Sequence, residues 1–384
     1  MIPIKKEAVL VTPEDVKSSS SKFEVIGTFN PGATRMPNGD IALYVRVAEK
    51  LKKIEDKRYY YAPRCSGKNK CMVKIDKFPK KDMGLDRDVA LVFKEGTKRL
   101  TFISHLRKVI LDKSGFKVKS IDKHPTFEGL FNDGELGVED PRITKLGKEY
   151  IMAYVSLSID GNITTSCAVS KDALNWKRKG LIFREQNKDV VIFPEKINNE
   201  YVAFNRPEGS FQFSPPHIWI SFSKDLKYWG NSKPIKLSER GKWDYSRVGA
   251  GAPPIKTKDG WLLLYHGVTD KKHHSQLNIL PNFLSKMFEE DNVYSIYSIG
   301  AALFDLKNPS KLIAKSPHPI IIPTKKYEKE GFVSNVIFTT GAIMDENEKD
   351  ILIYSGGADE VVTVKKVALK DILNHLEKVK FKGK

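Results

Sequence analysis

The feature that most constrains the fold of this chain is a pattern that recurs at the heads of aromatic-rich segments. An apolar or small residue, an acid or Asn, and often a Pro stand at the head, and a Gly-containing turn and an aromatic-rich strand follow. The five heads are Asn30-Pro31-Gly32, Glu139-Asp140-Pro141-Arg142, Asp189 through Phe193-Pro194-Glu195, Gly251-Ala252-Pro253-Pro254 and Ser334-Asn335. Self-similarity at a spacing of roughly 50–80 residues predicts a radial β-repeat, in which the strand starts converge on one central pocket.

A second, shorter repeat supports the same architecture. Ser170-Lys171-Asp172 precedes Trp176, and Ser223-Lys224-Asp225 precedes Trp229 at the same spacing. Ser and Asp side chains bond the local backbone in tight turns, and a Trp anchors the strand that follows. The repeat therefore predicts equivalent turns in two neighbouring units.

Length and composition agree with a turn-rich all-β protein. The 384 residues include 26 Gly and 20 Pro, which fits many short strands joined by turns. We expect one domain over residues 1–384, with an N-terminal arm over 1–22 and insertions near 49–87 and 270–292. Apolar residues at helical spacing over 369–376 predict an amphipathic C-terminal helix that covers an edge of the fold.

The charge balance indicates a Lys-rich surface rather than a nucleic-acid partner. The net charge is +18, from 65 basic and 47 acidic residues, but Lys is spread along the whole chain. Basic and aromatic residues do not interleave as they do in nucleic-acid-binding motifs. The first residues lack the apolar segment of a signal peptide, and no apolar run reaches about 18 residues. These features predict a cytoplasmic protein without a membrane partner; a homo-oligomer remains open.

The cysteines and histidines predict neither a disulfide framework nor a metal centre. The three cysteines are Cys65, Cys71 and Cys167, which are too few for a four-ligand zinc site. Free thiols in a reducing compartment are the expectation, and a Cys65–Cys71 pair is the alternative. His273 and His274 are adjacent but lack a carboxylate or Cys at ligand spacing, so we expect no metal.

With these units in place, the chain resembles glycoside hydrolase family 130, the β-mannoside phosphorylases and related hydrolases. The resemblance covers nearly the whole chain from about residue 25. The motifs that carry it, in order, are Phe29-Asn30-Pro31-Gly32, Gly137-Val138-Glu139-Asp140-Pro141-Arg142, Lys188-Asp189, Phe193-Pro194-Glu195-Lys196, Gly249-Ala250-Gly251-Ala252-Pro253-Pro254, Tyr265-His266-Gly267, Gly300 through Leu306, and Tyr354 through Asp359. It implies a five-bladed β-propeller in which the hairpin over 88–115 belongs to the first blade.

The resemblance implies that Asp140 is the general acid of an inverting β-mannoside phosphorylase. In the family this Asp is thought to protonate the leaving oxygen through a hydroxyl of the bound mannose. A glycosidic oxygen leaves poorly unless it is protonated, and a sheltered carboxylic acid can hold that proton near neutral pH. Inorganic phosphate would be the co-substrate, no other cofactor is implied, and the product would be α-mannose 1-phosphate.

The remaining site residues are assigned partly by the resemblance and partly by position. Carboxylates pair with sugar hydroxyls and aromatic rings stack on the apolar face of a sugar. The residues assigned to the β-mannoside oligosaccharide are Asn30, Arg46, Arg142, Asp189, Asp305, Tyr354 and Asp359, and those assigned to phosphate are Arg107, Lys188, Arg206 and His266. Arg142 shares a strand face with Asp140 but is expected not to pair with its carboxylate, since a cation there would lower the pKa of the acid.

Two departures from the family pattern keep a hydrolase open. Many members carry His where this chain has Asn205, and Arg near Thr164, so phosphorolysis is placed in more doubt than mannoside binding. A hydrolase needs a second carboxylate about 6.5–9.5 Å from the acid, and Glu195 and Glu208 are the candidates. A propeller that binds mannosides without cleaving them is the non-enzymatic alternative.

Overall fold

The computed structural model describes residues 1–87, 89–209, 213–271, 287 and 293–379, and β-strands dominate this part of the chain. Five antiparallel sheets of four or more strands account for most of them, and two small sheets lie in one insertion. The all-β class predicted from the sequence is confirmed. Among the residues described, no helix has the length and apolar character needed to cross a membrane.

Each of the five large sheets is built from strands that follow one another along the chain. The first sheet contains β2 (Phe23–Arg35), β3 (Ile41–Leu51), β9 (Phe102–Leu111) and β10 (Val118–Ile121), in that spatial order. The second contains β11 (Gly137–Leu146), β12 (Glu149–Ser158), β13 (Asn162–Ser170) and β14 (Lys177–Phe183). The third contains β15 (Asn187–Ile192), β16 (Tyr201–Pro207), β17 (Trp219–Ser223) and β18 (Trp229–Pro234).

The fourth and fifth sheets draw in strands from the two ends of the chain. The fourth contains β19 (Arg247–Ala250), β20 (Ile255–Lys256), β21 (Trp261–Asp270), β22 (Ser295–Phe304), β23 (Leu312–Lys315) and β27 (Glu377–Lys378). The fifth contains β24 (Ile337–Met344), β25 (Asp350–Gly357), β26 (Val361–Ala368) and β1 (Ile4–Val11). The predicted N-terminal arm therefore contains a strand, because β1 pairs with β26 and forms the outer edge of the fifth sheet.

The first strands of successive sheets lie side by side. β2 contacts β11 and β24, β11 contacts β15, and β15 contacts β19. β24 contacts β21 and β22 of the fourth sheet, so the contacts pass through all five sheets and return to the first. The strand heads that the sequence singled out therefore meet in one region.

Five hydrophobic clusters lie between successive sheets and explain why the middle strands are apolar on both faces. In β21, Leu262 and Leu264 pack between the fourth and fifth sheets, whereas Trp261, Leu263 and Tyr265 pack between the third and fourth. Successive side chains of a strand point to opposite faces, so a strand covered on both sides carries a continuous apolar run. The same division occurs in the strands β3, β12 and β25.

The short Ser–Asp repeat forms the turns that were predicted from it. Asp172 accepts hydrogen bonds from the backbone N–H groups of Leu174 and Asn175, at 2.8 Å each. Asp225 accepts the equivalent bonds from Lys227 and Tyr228, at 2.9 Å each. These turns connect the third and fourth strands of the second and third sheets.

The first insertion is longer and more ordered than the sequence indicated. It contains β4 (Tyr59–Cys65), β5 (Val73–Pro79), a 3₁₀ turn (Lys80–Asp82), β6 (Met83–Arg87), β7 (Ala90–Phe93) and β8 (Lys98–Leu100). The predicted hairpin over 88–115 is therefore divided, since β7 and β8 stay in the insertion while β9 and β10 join the first sheet. Of the second insertion, near 270–292, residues 272–286 and 288–292 lie outside the described residues.

The described residues also contain a short turn, two short helices and a disulfide. A 3₁₀ turn (Pro13–Asp15) follows β1, and a short helix α1 (Lys326–Lys329) precedes β24. The predicted C-terminal helix is present as α2 (Leu369–Asn374), which packs Ile372 into the cluster between the fourth and fifth sheets. Cys65 and Cys71 form a disulfide, which corrects the expectation of free thiols, and Cys167 is a buried free thiol.

Candidate active site

Four of the five strand heads contain an Asn or Asp in one unusual backbone conformation, and one of these is Asn335, with a φ angle of 61°. Asn30, Asp140 and Asp189 have φ angles of 46°, 47° and 55°, in the left-handed region. Each lies where the pairing register of the first strand shifts, so each is part of a β-bulge. Asn and Asp tolerate this region better than other side chains, and bulges redirect side chains beside functional sites. The recurring Asn or Asp of the sequence pattern is thereby explained.

Asp140 lies in a buried group of polar side chains from the first two sheets. Its Oδ1 accepts hydrogen bonds from Asn30 Nδ2 at 2.9 Å and from Arg46 Nη1 at 3.0 Å. Arg46 also pairs with Glu139, at 2.5 Å between Nη2 and Oε1, and its guanidinium lies over the ring of Phe29. The predicted acid therefore has a direct cationic partner, but the partner is Arg46 and not Arg142.

The electrostatics of this group separate two carboxyl groups. Burial raises the pKa of Asp140, but Arg46, Arg142, Lys188 and the hydrogen bond from Asn30 outweigh burial and leave this pKa below its ordinary value. Burial raises the pKa of Asp359 to about 6, and the negative charges of Asp140 and Glu139 add to that effect. The lowered pKa favours an ionised Asp140 at neutral pH, which differs from the expectation that its pocket holds a proton there.

A second group of charges surrounds Asp189. Its Oδ1 lies 2.8 Å from Arg142 Nη2, and its Oδ2 lies 2.8 Å from Arg206 Nη1 and 3.5 Å from His266 Nε2. Burial raises the pKa of Asp189, but the positive charges of Arg206, Arg142 and Lys188 together bring it well below the ordinary range. Asp189 therefore acts as the anion that gathers these cations.

Two further members of this region were not found from the sequence. Arg247 Nε lies 3.6 Å from Glu208 Oε1, and its Nη1 donates to the hydroxyl of Tyr297 at 3.2 Å. Glu208 also pairs with Arg206 at 3.2 Å. Arg247 directly precedes the Gly-rich head of the fourth sheet, so its position was an available signal; Tyr297 carries no comparable motif. We call Arg142, Lys188, Arg206 and Arg247, with Asp189 and Glu208, the cationic cluster.

His266 is neutral within this cluster. Burial lowers the pKa of His266 to about 3; Asp189 opposes this effect, and Arg206, Arg142 and Arg247 reinforce it. Arg206 Nη1 and His266 Nε2 are 3.2 Å apart, so Nε2 of the neutral ring can accept a hydrogen bond from the arginine. Its Nδ1 has no hydrogen-bond partner among the described residues. A neutral His with a free ring nitrogen can bind a ligand oxygen without adding charge.

Most residues assigned from the sequence meet at this site. Asn30, Arg46 and Asp359 lie around Asp140, while Arg206 and His266 lie around Asp189. Lys188 lies within electrostatic reach of both Asp140 and Asp189. Arg142 joins the two groups: its Nε donates to Gly251 O, Nη1 to Asp140 O and Nη2 to Asp189. The geometry therefore gives Arg142 a positioning part, because all three of its nitrogens donate to protein oxygens.

Three of the assigned side chains lie elsewhere in the structure. Tyr354 packs in the cluster between the fifth and first sheets, where its hydroxyl donates to Gly115 O. Arg107 is buried in the first sheet, where it lies 3.5 Å from Glu49 and donates to the carbonyl of Lys123. Asp305 caps a turn at the end of β22 by accepting from the backbone N–H groups of Lys307 and Asn308. Tyr354 and Asp305 belong to the quoted motifs, whereas Arg107 was assigned by position, and all three side chains are directed away from the site.

The two residues that depart from the family pattern, Asn205 and Thr164, form hydrogen bonds within their own sheets. Asn205 accepts a hydrogen bond from Asn187 and donates to Ser221, both within the third sheet. Thr164 donates to Ser156 O within the second sheet. Glu195, one candidate base, pairs with Lys256 at 2.7 Å, and its side chain is 45% exposed. Glu208, the other, is held by the cationic cluster.

Comparison with known proteins agrees with this geometry. The profile of glycoside hydrolase family 130, described as beta-1,4-mannooligosaccharide phosphorylase, matches residues 89–378, which is most of the chain. A beta-1,2-mannobiose phosphorylase of Listeria innocua is 35% identical over 379 residues, 97% of each chain. This chain belongs to glycoside hydrolase family 130. The resemblance inferred from the strand heads is thereby confirmed.

Two further comparisons extend the match within the family. A 1,2-beta-oligomannan phosphorylase of Thermoanaerobacter sp. is 38% identical over 274 residues, covering 71% of this chain and 81% of the relative. The solved structure of the Listeria innocua beta-1,2-mannobiose phosphorylase in complex with beta-1,2-mannobiose has a TM-score of 0.81. That match is 33% identical and covers 95% of this chain and 96% of the other. The chain is therefore a glycoside-active enzyme of this family.

Proposed function

We propose that this enzyme is a phosphorylase of β-1,2-linked mannosides that releases α-mannose 1-phosphate with inversion. The observation that carries the proposal is the juxtaposition of Asp140 with the cationic cluster around Asp189, joined by Arg142. A general acid on one side and an anion site on the other are the two parts that phosphorolysis requires. The relatives named as acting on β-1,2-mannobiose and β-1,2-oligomannan support this linkage.

We propose that the five sheets form one five-bladed β-propeller over the whole chain. The circuit of contacts among first strands and the five clusters between successive sheets support this arrangement. Pairing of β1 with β26 ties the first strand of the chain to its last sheet, which is a way of closing a ring of blades. The central region where the strand heads meet would then be the substrate pocket.

Asp140 is the proposed acid. A phosphate oxygen forms the bond to the anomeric carbon while the glycosidic C–O bond breaks, and the proton of Asp140 passes to the leaving oxygen. The proton given up by the sugar phosphate then restores the acid. Since Arg46 and Asn30 hold Asp140 ionised without a ligand, a bound mannoside must take over these two donors before the acid can be protonated. Asp359, with a pKa of about 6, is the adjacent carboxyl that can carry a proton.

The cationic cluster is the proposed phosphate site. Its four cations and two carboxylates leave a formal excess of two positive charges, which matches a phosphate dianion. Arg206 Nε and His266 Nδ1 are buried and lack hydrogen-bond partners within the described part of the chain. Buried donors of this kind are normally satisfied, and guanidinium groups bind phosphate oxygens especially well. Phosphate is already an anionic nucleophile, so the reaction needs no second carboxylate as base.

A hydrolase on the same scaffold remains the second candidate, and one observation favours it. Glu208 lies at the cationic cluster, where a base that activates water would be needed. However, Arg206 and Arg247 both pair with Glu208, so its carboxylate is engaged by two cations and is not free to position a water molecule. The balance of charge therefore favours phosphate over water as the nucleophile.

The reaction is proposed to occur in the cytoplasm. The product carries a phosphate group and cannot diffuse across a membrane, so a cell that makes it internally keeps it.

A product assay with and without phosphate tests the proposed function. Purified enzyme is incubated with β-1,2-mannobiose in buffer alone and in buffer with inorganic phosphate. We expect mannose 1-phosphate and mannose in equal amounts only when phosphate is present. If mannose forms at the same rate in both and no sugar phosphate appears, the hydrolase replaces the phosphorylase. Binding of mannobiose without cleavage under either condition would indicate a mannoside-binding protein.

A further inference from the structure

A large cavity opens beside the proposed acid and continues into the first insertion. Its volume is about 880 Å³, and Arg46, Glu139 and Lys188 line one end. Side chains of the insertion line the other end. They include Arg64, Asp76, Phe78, Phe93 and Arg99, which we call the insertion wall. Cavities of about 300–1,000 Å³ hold ligands the size of typical drugs, so this one has room for more than a single sugar.

We propose that the insertion wall binds the mannose units on the leaving-group side of the cleaved bond, and that it makes the enzyme prefer oligomannosides of three or more units. This inference rests on the proposed function, because it names the substrate length of the same site. The wall would set chain-length specificity without contacting the reacting atoms.

The position of the cavity relative to Asp140 assigns it to the leaving group. The acid protonates the leaving oxygen, and in an inverting reaction the nucleophile enters from the opposite face. Arg46 bonds Asp140 and Glu139 and also lines the cavity. A sugar chain that departs past Asp140 therefore enters this cavity.

The wall offers an aromatic surface of the kind that sugars use. Phe78 and Phe93 form an edge-to-face pair with ring centroids 5.3 Å apart, and both rings are half-buried. Phe102 continues the apolar lining toward the first sheet. Partly exposed rings that line a cavity can stack against the apolar faces of pyranose rings.

The wall also contains a buried guanidinium with unused donors. Arg99 Nη2 lies 3.1 Å from Asp76 and 3.2 Å from Pro63 O, and only 6% of the side chain is exposed. Its Nε and Nη1 are buried without a hydrogen-bond partner among the residues that the structure describes. Leaving such donors unsatisfied is costly, so Arg99, which lines the cavity, is suited to receive ligand oxygens.

The charge of the wall fits a neutral sugar better than an anion. Arg64 Nε lies 2.7 Å from Asp76, and Glu135 is within electrostatic reach of Arg99. With Glu135, which lies outside the wall, the two arginines and two carboxylates balance formally. A neutral ligand with many hydroxyl groups can accept from Arg99 without disturbing this balance, which distinguishes the wall from the cationic cluster.

The wall is held in place before any ligand binds. The Cys65–Cys71 disulfide closes the loop that follows Arg64, and the Cys65 N–H donates to Glu135 O at 2.8 Å. Cys65 also packs with Phe23 and Ile103 of the first sheet. The family profile begins at residue 89, so β4 and β5 lie outside the segment it matches. Arg64, Asp76 and Phe78 are thus features of this chain beyond that segment.

The test compares substrates of two lengths in the phosphorolysis reaction. We measure kcat/KM for β-1,2-mannobiose and β-1,2-mannotriose with the wild type and with Phe93→Ala and Arg99→Lys. The wild type is expected to prefer the trisaccharide, and the ratio of the two kcat/KM values should fall about 3- to 10-fold in each variant, as expected for one ring or one fork of hydrogen bonds. Lys77→Ala is the matched control, since Lys77 lies on β5 between two wall residues but is exposed.

Binding measurements separate this inference from the proposed function. With Asp140→Asn as background, calorimetry gives Kd for mannobiose and mannotriose whether or not the enzyme turns over. Tighter binding of mannotriose that Phe93→Ala removes supports the wall even if no phosphorolysis is found. Equal Kd values for the two sugars, or a kcat/KM ratio that is the same in the wild type and both variants, overturns it. Thermal unfolding of each variant checks that the insertion remains folded.

Discussion

At the scale of single residues, the site depends on polar side chains held in left-handed backbone positions. Asn30, Asp140 and Asp189 occupy equivalent bulges in three sheets, and hydrogen bonds or ion pairs link each to a neighbouring sheet. A β-branched or bulky residue would be strained at these φ angles. The same backbone position thus supplies Asn30, the proposed acid Asp140, and Asp189, the anion that pairs with two arginines.

The first prediction concerns the acid itself. Asp140→Asn keeps the size of the side chain and the Oδ1 acceptor that Asn30 and Arg46 use, but it cannot supply a proton. General acid catalysis contributes typically about 10²–10⁴-fold, so kcat on a natural disaccharide should fall by that factor. A substrate with an activated leaving group needs less protonation and should lose much less. Equal losses on both substrates would point to misfolding, and near wild-type turnover on the disaccharide would remove Asp140 from the mechanism.

The second prediction concerns Asp359 and pH. Its pKa of about 6 in the folded protein lies above the ordinary value of 3.8, so the folded state holds this proton more tightly than the unfolded chain. The resulting stability is complete below pH 3.8 and is lost as pH rises through about 6. Asp359→Asn should therefore raise the free energy of unfolding at pH 7 by on the order of 1–3 kcal/mol relative to the wild type.

Urea unfolding of the wild type and Asp359→Asn at pH 4, 5.5 and 7 measures this difference. The two proteins should diverge as pH rises. Parallel profiles across this range would mean that the carboxyl group is not held in its protonated form by burial and its acidic neighbours.

The third prediction concerns phosphate. Arg206→Lys keeps the charge but loses the fork of donors that includes the buried Nε. Hydrogen bonds to charged groups contribute about 1.5–3 kcal/mol, so the apparent KM for phosphate should rise by about tenfold or more. The KM for mannobiose, measured in the same assays, should change little. A parallel rise of both KM values would mean that Arg206 holds the site together rather than binding phosphate.

Asp140, Asp189 and His266 could be assigned from the sequence because they lie in recurring motifs, whereas the direction of a side chain depends on the strand period. In the structure these three side chains lie in one region, joined through Arg142. Tyr354 belongs to a matching motif, but alternate residues of β25 enter the opposite hydrophobic clusters, so its ring lies in a core. The motif gives the neighbourhood of a side chain, whereas the register of the strand gives its direction.

At the scale of elements, the closure of the fifth sheet by β1 depends on a buried ion cluster. Lys365 on β26 lies 2.8 Å from Glu7 on β1 and 2.6 Å from Glu328 on α1, and its side chain is 2% exposed. The first strand, the last sheet and α1 are therefore joined at one point. Residues 1–22 were predicted to be an arm because the partner of β1 lies at the other end of the chain, where local sequence patterns cannot indicate it.

The fourth prediction compares two lysines of this cluster. Lys365→Met leaves two buried or partly buried carboxylates without their shared cation, which typically costs about 3–5 kcal/mol of the free energy of unfolding. Lys325 also pairs with Glu7, at 2.7 Å, but its side chain is 47% exposed. Lys325→Met should cost less than about 1 kcal/mol. Urea midpoints of the two variants test the difference; equal midpoints would contradict the role given to Lys365.

The insertion is the element that the sequence described least well. Its charged composition suggested an irregular segment, but β4 pairs with β5 in regular antiparallel register. The Cys65–Cys71 disulfide closes the loop between these two strands. Two cysteines six residues apart are compatible with either free thiols or a disulfide, and only the turn between the strands brings them together.

At the scale of the whole molecule, the number of sheets could be predicted from the five strand heads. Asn30, Asp140, Asp189, Ala252 and Asn335 each lie within the first strand of one sheet or two residues from it. The contents of each sheet could not, because the insertion between β3 and β9 separates neighbouring strands by about fifty residues. Pairing across such a distance is decided by tertiary packing.

The proposed mechanism needs an acid on one side of the bound sugar and a phosphate site on the other. The anomeric form of the first product tests both together. Proton NMR follows the enzyme with β-1,2-mannobiose and inorganic phosphate from the first minutes of reaction. We predict that α-mannose 1-phosphate is the first phosphorylated product and that it appears together with an equal amount of mannose. Free mannose alone would contradict phosphate as the nucleophile, and β-mannose 1-phosphate would contradict direct inversion across the site.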